Sequence, residues 1–424
     1  MQTLKIELIN TGTELMLGAV LNTHQQWLCR QLADRGYVVT RQVAVADTGT
    51  DIQQTVREAL GRADLIITTG GLGPTADDLT RDLIARLLGK KLHENAAALA
   101  NIESFFAARK RPMPASTKVQ ALVPAGALVW PNHHGTAPGL AIEVAPNPAR
   151  AGGRPSWLVM LPGPPRELRP MFTAQVLPWL QDRFPLGNAF VCLTLRTSGL
   201  GESWVEEIIA GPLQRLTAAG LELGYCAQVG KVDVRLAARG RGAKSLVRKA
   251  ERIVRQKIGE FIFGRDENDA ETVVMRLLTK RKQTLALAES CTGGYLSHRL
   301  TNVPGASAVL LAGLVTYSNS AKQKFLGVRA QTLAAHGAVS EAVARAMAAG
   351  AQKRTGATYA LAVTGIAGPG GGTEAKPVGT VFIALATPRR TTVINPVNRY
   401  DRETFKKVTS EQALELLRRE ILRR

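Results

Sequence analysis

Short apolar runs that end in glycine-rich polar turns, with helix-spaced segments between them, constrain this 424-residue chain more than any other feature. Leu4–Ile9 runs into Thr11-Gly12-Thr13-Glu14. Asp64–Thr69 runs into Thr69-Gly70-Gly71-Leu72-Gly73-Pro74-Thr75-Ala76-Asp77-Asp78. The spacing predicts helices over Thr23–Arg35, Asp51–Ala63 and Leu79–Leu88, and a strand over Tyr37–Val45. Alternation of this kind means βαβ units, because a parallel neighbour is reached only through a crossover. Asn147–Pro155, rich in Pro, Gly and Arg, reads as a loop. Trp157–Leu161 reads as a further strand, closed by Pro162-Gly163-Pro164-Pro165.

The pattern changes after residue 190. A strand (Phe190–Thr197) leads through Ser198-Gly199-Leu200-Gly201-Glu202-Ser203 to a helix at Trp204–Ala210. A second strand (Lys231–Ala237) and a basic helix (Ser245–Gly259) follow. This describes a small α+β module. A helix at about Asn268–Arg281 opens the last segment and Glu403–Arg423 closes it. The expected organisation is three domains: 1–170, α/β with a parallel sheet; 171–264, a small α+β module; and 265–424, α/β.

The last segment carries the most chemistry. Thr284–Ala288 ends in Ala288-Glu289-Ser290-Cys291-Thr292-Gly293-Gly294, a strand bent into a tight turn with a serine at the bend. Such a turn can present an attacking oxygen and surround it with N–H groups for the oxyanion. An N-capping serine explains the same residues. Two more strand ends alter the balance. Val309–Val315 feeds Thr316-Tyr317-Ser318-Asn319-Ser320-Ala321-Lys322, and Thr358–Leu361 feeds Ala362-Val363-Thr364-Gly365-Ile366-Ala367-Gly368-Pro369. Ligands in open α/β sheets bind beyond the carboxyl ends of the strands. Ser290, Tyr317 with Lys322, and Thr364 therefore converge on one crevice. A desolvated lysine can serve as the serine's base, so no histidine is needed, and His298 and His336 lie outside these turns.

Other polar features each have two readings. Thr69–Asp78 is a good phosphate cradle, with N–H groups and a helix start beyond it. Asp77 and Asp78 there either hold a divalent cation or cap the helix. It is neither a Walker A loop nor a dinucleotide fingerprint. Pro162–Pro165 with Arg166 and Glu167 is a rigid turn at another strand end, lining the same pocket or serving only as a turn. Gly368–Gly372 with Lys376–Thr380 is either a phosphate-closing loop or a plain hairpin. Arg402 stands at the start of the last helix, where the dipole disfavours a cation unless an anion joins it.

Composition narrows the classes. Net charge is +20, spread as about +4, +5 and +11 over the three segments without a long basic block. It fits attraction of phosphates as well as it fits a solvated surface. Aromatic residues are only 5%, which argues against a base-stacking surface for single strands. The four cysteines, Cys29, Cys192, Cys226 and Cys291, form no C-x-x-C pair, so no zinc or redox signature arises. No signal-like amino end or membrane-length apolar stretch occurs, and the expected compartment is the cytoplasm.

Taken together the motifs resemble the full-length CinA (competence/damage-inducible) family over nearly the whole chain. Gly12–Leu15, Asn22-Thr23, Gly70–Thr80 and Leu161–Glu167 are similar to its amino-terminal domain, which is like molybdopterin-binding domains. Ser198–Ser203 is similar to its KH-type middle module. Ala288–Gly294, Val315–Lys322, Val363–Pro369 and Lys376–Thr380 are similar to its carboxyl-terminal nicotinamide-nucleotide amidase domain. The resemblance implies a nicotinamide mononucleotide deamidase that needs no cofactor. In it Ser290 is the nucleophile, Lys322 with Tyr317 manages the proton, and Thr364 positions substrate or base. Arg402, Cys291, Thr292, Gly293, Gly294 and Gly365 contact the substrate, with N–H groups near Cys291–Gly294 as the oxyanion hole. It further implies an ADP-ribose pyrophosphatase in the first domain, with Gly70, Gly71, Gly73, Thr75, Asp77 and Asp78 in the pocket. Asp77 and Asp78 would hold a divalent metal, potassium being a second cation. A homodimer is implied, with neither membrane nor nucleic acid as partner.

The rival class is a pterin- or nucleic-acid-binding protein without hydrolase activity. Gly199-Leu200-Gly201-Glu202 lacks the basic residue of a KH backbone clamp, which counts against it. A second enzymatic alternative makes Cys291 the nucleophile.

Overall fold

The computed structural model describes residues 4–187, 189–266 and 269–423. The chain forms two compact units, Met1–Val191 and Cys192–Arg424.

The first unit is built on a six-stranded sheet. Its strands are β1 (Ile6–Thr11), β2 (Val39–Val45) and β3 (Leu65–Thr69). After a short pair, β4 (Leu92–Glu94) and β5 (Leu122–Pro124), come β6 (Leu128–Trp130), β7 (Gly139–Val144) and β8 (Ser156–Leu161). The order is β2-β1-β3-β8-β7-β6, parallel from β2 to β8 and antiparallel beyond. β1 and β3 are buried along their whole length, as expected of central parallel strands covered on both faces. Neighbouring side chains serve opposite layers. Ile9 packs with Ile52, Val56 and Ile84 from the helices Gly49–Leu60 and Thr80–Leu87. Leu8 packs with Leu28 and Leu32 of the helix Thr23–Ala33 and with Phe172. Asn22 and Thr48 cap the first two crossover helices through their side chains.

This unit extends past the expected boundary at residue 170. The helical segment from Pro165 to Arg183 buries Leu168, Met171, Phe172, Val176, Leu177 and Leu180 on the first sheet, so it belongs to that core.

In the second unit, a four-stranded sheet has order β10-β11-β9-β12, with β9 at Phe190–Ser198, β10 at Leu221–Gln228, β11 at Lys231–Arg239 and β12 at Ile262–Arg265. The helices Glu202–Ala218 and Ala243–Ile258 accompany it. The first helix continues eight residues beyond the expected end, straight through Gly211-Pro212. An internal proline costs about 3 kcal/mol, but Val205, Ile209 and Leu213 bury one continuous stripe that holds the helix together.

A five-stranded sheet completes this unit: β13 (Leu285–Glu289), β14 (Leu310–Val315), β15 (Tyr359–Gly365), β16 (Val381–Ala386) and β17 (Thr391–Ile394). The order is β14-β13-β15-β16-β17, with β13 parallel to both neighbours. Leu285 and Leu287 face Val274, Leu278 and Leu417 of the helices Ala270–Lys280 and Arg402–Leu422. Ala286 and Ala288 face Val343 and Met347 of the helix Glu341–Thr355. The carboxyl ends of β13, β14 and β15 therefore share one edge, with β13 central. Asn268, included in the expected opening helix, lies outside the described residues. Among the described residues no helix is long and apolar enough to cross a membrane.

Candidate active site

At the shared edge of the last sheet, Lys322 Nζ lies 3.0 Å from Ser290 Oγ, 2.9 Å from the Thr316 carbonyl and 3.2 Å from the Tyr317 carbonyl. Ser290 follows β13 and is held by its N–H on the Val363 carbonyl of β15. Lys322 points inward from the helix Asn319–Leu326, whose N-cap Ser318 accepts from Ala321 N–H. Both side chains are withdrawn from solvent, at 8% and 1% exposure. Burial pushes the lysine below its usual range, because the charged form is poorly solvated there. The three partners then decide how the amine is used. Two of them are carbonyls and can only accept. A neutral amine satisfies them with its two N–H bonds, leaving its lone pair on the serine hydroxyl.

The turn that holds the serine is tied by Glu289, which the sequence reading passed over. Its fully buried carboxylate accepts from Gly294 N–H (3.0 Å) and Leu296 N–H (3.1 Å) on Oε2, and from Ser297 N–H (2.8 Å) and Ser297 Oγ (2.6 Å) on Oε1. A lone acidic residue closing an otherwise apolar strand was the available signal. Gly293 and Gly294 adopt φ of +60° and +93°, which the tight bend requires and L-side chains resist. Their N–H groups are already used, on the Ser290 carbonyl and on Glu289. This narrows the expected oxyanion hole. Among the described residues the N–H groups of Cys291 and Thr292 in this turn reach no oxygen acceptor and lie against the Cys291 sulfur, a weak acceptor that an oxyanion can displace.

The other expected residues divide. Arg402 donates from Nη2 to Tyr317 Oη (2.7 Å) and from Nη1 to the Gly368 carbonyl (3.0 Å). It thus joins the exposed tyrosine and the glycine loop at the rim of the site. Thr364 lies within β15, paired with Phe382, rather than in a turn after the strand, and its hydroxyl donates to the Ala338 carbonyl at 2.8 Å rather than to the Ser290–Lys322 pair. Gly365 has its backbone paired to Val381 across the β15–β16 ladder. Cys291 is buried and its thiol is pushed up to about 12, chiefly by burial, so it stays protonated and is a poor nucleophile beside Ser290.

In the first unit, a cavity of about 550 Å³ opens where β1, β3 and β8 end, lined among others by Thr11, Asp47, Gly70–Pro74, Gln120, Pro162–Pro165 and Glu167. Among the described residues the consecutive N–H groups of Gly71, Leu72 and Gly73 have no acceptor, which makes an anion-binding concavity. A Cβ at Gly73 would come within 2.2 Å of Asp78 Oδ2, so a side chain there would displace that carboxylate from Thr75. The structure overturns the capping reading of the acidic pair. The helix Thr80–Leu87 has Leu79 at its N-cap with no side-chain bond, so the aspartates do not cap it. Asp78 instead accepts from Thr75 N–H (3.0 Å) and Thr75 Oγ1 (2.5 Å), bracing the loop. Among the described residues no three His, Cys, Asp or Glu side chains gather into an all-protein metal cage, and a divalent cation there would be shared between one or two carboxylates and the phosphates of a ligand. The turn ending in Glu167 lines this pocket, one of the two readings of it, while Asp47 and Gln120 are pocket residues that the sequence did not single out.

Comparison with known proteins agrees with this layout. Residues 7–182 match a molybdopterin-binding domain family, residues 193–264 the KH domain of the damage-inducible protein CinA, and residues 267–421 the CinA C-terminal domain. The chain is 43% identical over 421 residues to a competence-damage inducible protein of Moorella thermoacetica, covering 99% of each. It is 41% identical to a CinA-like protein of Akkermansia muciniphila, covering 98% of this chain and 97% of the relative. A crystal structure of a competence/damage inducible protein from Agrobacterium tumefaciens is 41% identical over 35% of this chain and 94% of that one, with a TM-score of 0.34. With full-length relatives at this identity, matched by all three domains in the same order, the chain belongs to the CinA (competence/damage-inducible) family.

Proposed function

We propose that the second unit hydrolyses the carboxamide of nicotinamide mononucleotide, yielding nicotinate mononucleotide and ammonia. The observation that carries this is the buried Ser290–Lys322 contact with two carbonyls occupying the remaining donors of the amine. Lys322 takes the hydroxyl proton as Ser290 Oγ bonds to the amide carbon. The developing oxyanion is held by Cys291 and Thr292 N–H. Lys322 then hands the proton to the departing nitrogen, which leaves as ammonia. Water cleaves the resulting ester by the same route in reverse, freeing Ser290. Arg402, with Tyr317, meets the phosphate or the developing carboxylate at the rim. The test is ammonia release from nicotinamide mononucleotide by the full chain, beside a salt-dependent oligonucleotide titration. Ammonia supports the amidase. Oligonucleotide binding without ammonia supports the binding-protein rival.

For the first unit we propose hydrolysis of a pyrophosphate diester, with ADP-ribose as substrate. The free N–H groups of Gly71, Leu72 and Gly73 support it, since three aligned donors suit a phosphate. Phosphate-ester products from ADP-ribose are the readout.

A further inference from the structure

We propose that Glu167 is the general base of the first unit's pocket, removing a proton from the water that attacks a phosphoanhydride held on the Gly71–Gly73 loop. The inference rests on the pyrophosphatase reading of that pocket and adds the group that moves the proton.

Glu167 lies in the first turn of the helix Pro165–Met171, directly beyond β8, and lines the same cavity as the glycine loop. It is 7% exposed. One oxygen is pinned: Asn132 Nδ2 donates to Oε2 at 2.9 Å and also to the Ala137 carbonyl at 2.8 Å, while Asn132 Oδ1 accepts from His134 N–H at 3.0 Å. Gly135 backs the same oxygen so closely that a Cβ there would lie 2.0 Å from it. The other oxygen, Oε1, receives no hydrogen bond among the described residues, and its nearest cation, exposed Arg166, stands 3.8 Å away. A carboxylate with one oxygen fixed by an amide and the other free is an oriented base.

The neighbouring carboxylates are less suited. Asp78 is engaged by Thr75. Asp77 is exposed to solvent, unlike Glu167. Asp47 accepts from Thr13 N–H at 3.0 Å and shares its surroundings with Glu14 and Asp77. Burial pushes up both Asp47 and Glu167, the latter against the opposing influence of Asn132, Arg166 and His134. Glu167 alone, however, has one oxygen fixed by a buried amide and the other without a hydrogen bond among the described residues. An independent feature shows that the cavity is shaped for a ligand. Gln120, 2% exposed, donates from Nε2 to the Leu72 carbonyl (3.1 Å), which fixes its amide and leaves its buried Oε1 without a partner.

In the step, the Glu167 carboxylate accepts one proton of water as its oxygen bonds to phosphorus. The bond from that phosphorus to the bridging oxygen breaks, and the electron pair leaves on the second monophosphate, which receives the proton from Glu167.

The experiment follows ADP-ribose hydrolysis by the full chain, with and without added divalent cation, in wild type, Glu167→Gln and Asn132→Ala, with ADP-ribose affinity measured separately. Glu167→Gln is expected to lower kcat by about 10²–10⁴-fold, to bind ADP-ribose within a few-fold of wild type, and to lose the acidic limb of the pH–rate profile. Asn132→Ala keeps the base but moves that limb to higher pH, a shift that a purely structural role does not produce. Wild-type hydrolysis with Glu167→Gln within about threefold of it overturns the proposal alone. Loss of ADP-ribose binding in Glu167→Gln also overturns it, because the residue is then a binding or folding contact. Wild type without hydrolysis overturns the pyrophosphatase reading and this inference with it.

Discussion

Glu289→Gln isolates what holds the serine turn. The carboxylate accepts four hydrogen bonds, three from backbone N–H groups and one from the Ser297 hydroxyl. A glutamine offers one oxygen and one NH₂. Its better orientation keeps the oxygen on Gly294 and Leu296 and turns the NH₂ toward Ser297, whose hydroxyl can rotate to accept. Ser297 N–H is then left buried against a donor, which costs about 1–3 kcal/mol. The two surviving bonds lose their charge assistance, about 1 kcal/mol each. The negative charge at the start of the helix Tyr295–Thr301 also goes, a further loss of about 0.5–1 kcal/mol. The expected destabilisation is about 3.5–6 kcal/mol, or roughly 10–20 °C in the melting of a segment this size. A shift of the turn by about 1 Å also lowers amide hydrolysis on the order of 100-fold. Thermal melts and ammonia release from nicotinamide mononucleotide measure both. A Glu289→Gln protein that melts and turns over like wild type refutes the reasoning.

Lys322→Met removes the amine and keeps the volume. Ammonia release should fall by at least about 10²–10⁴-fold, while resistance to urea holds or improves, because a buried amine gives way to an apolar side chain. In the wild type, kcat/KM should climb with pH through the lowered Lys322 value and level off before the ordinary lysine range. The stability sign is set by the same shift: the unfolded chain binds the extra proton between the folded value and about 10.4, so stability from this group rises with pH across that window. Urea midpoints against pH should lose that slope in Lys322→Met. Cys291→Ala should keep ammonia release within about tenfold, since a thiol pushed up to about 12 holds no thiolate at neutral pH. A loss as deep as that of a missing nucleophile makes the cysteine essential and the serine assignment wrong.

The meeting of Ser290 and Lys322 was legible because both follow apolar runs that read as neighbouring parallel strands, β13 buried throughout and β14 at the sheet edge with alternate residues exposed. Parallel strands put their carboxyl ends together, so the polar turns after them share an edge. Glu289 was not legible as an anchor. Its partners are backbone N–H groups, which carry no sequence signal, and a carboxylate in a strand conflicts with the apolar pattern until those donors are in place. The aspartates at 77 and 78 misled for a related reason. Their nearness to a helix start suggested a cap, whereas the chain uses Asp78 to close a loop on Thr75, a local choice between equivalent acceptors. The first unit's end was missed because Pro164-Pro165 and Pro170 obscured one helical segment whose apolar face belongs to the preceding sheet. The helix expected over Trp204–Ala210 runs on to Ala218 because the buried stripe of Val205, Ile209 and Leu213 overrides the poor local propensity of Gly211-Pro212.

Hydrolysis of nicotinamide mononucleotide by Ser290→Ala in the full chain tests the central claim most directly. Serine attack assisted by Lys322 predicts that ammonia release drops by several orders of magnitude while the protein melts as the wild type does. Ammonia release at the wild-type rate from Ser290→Ala would contradict it.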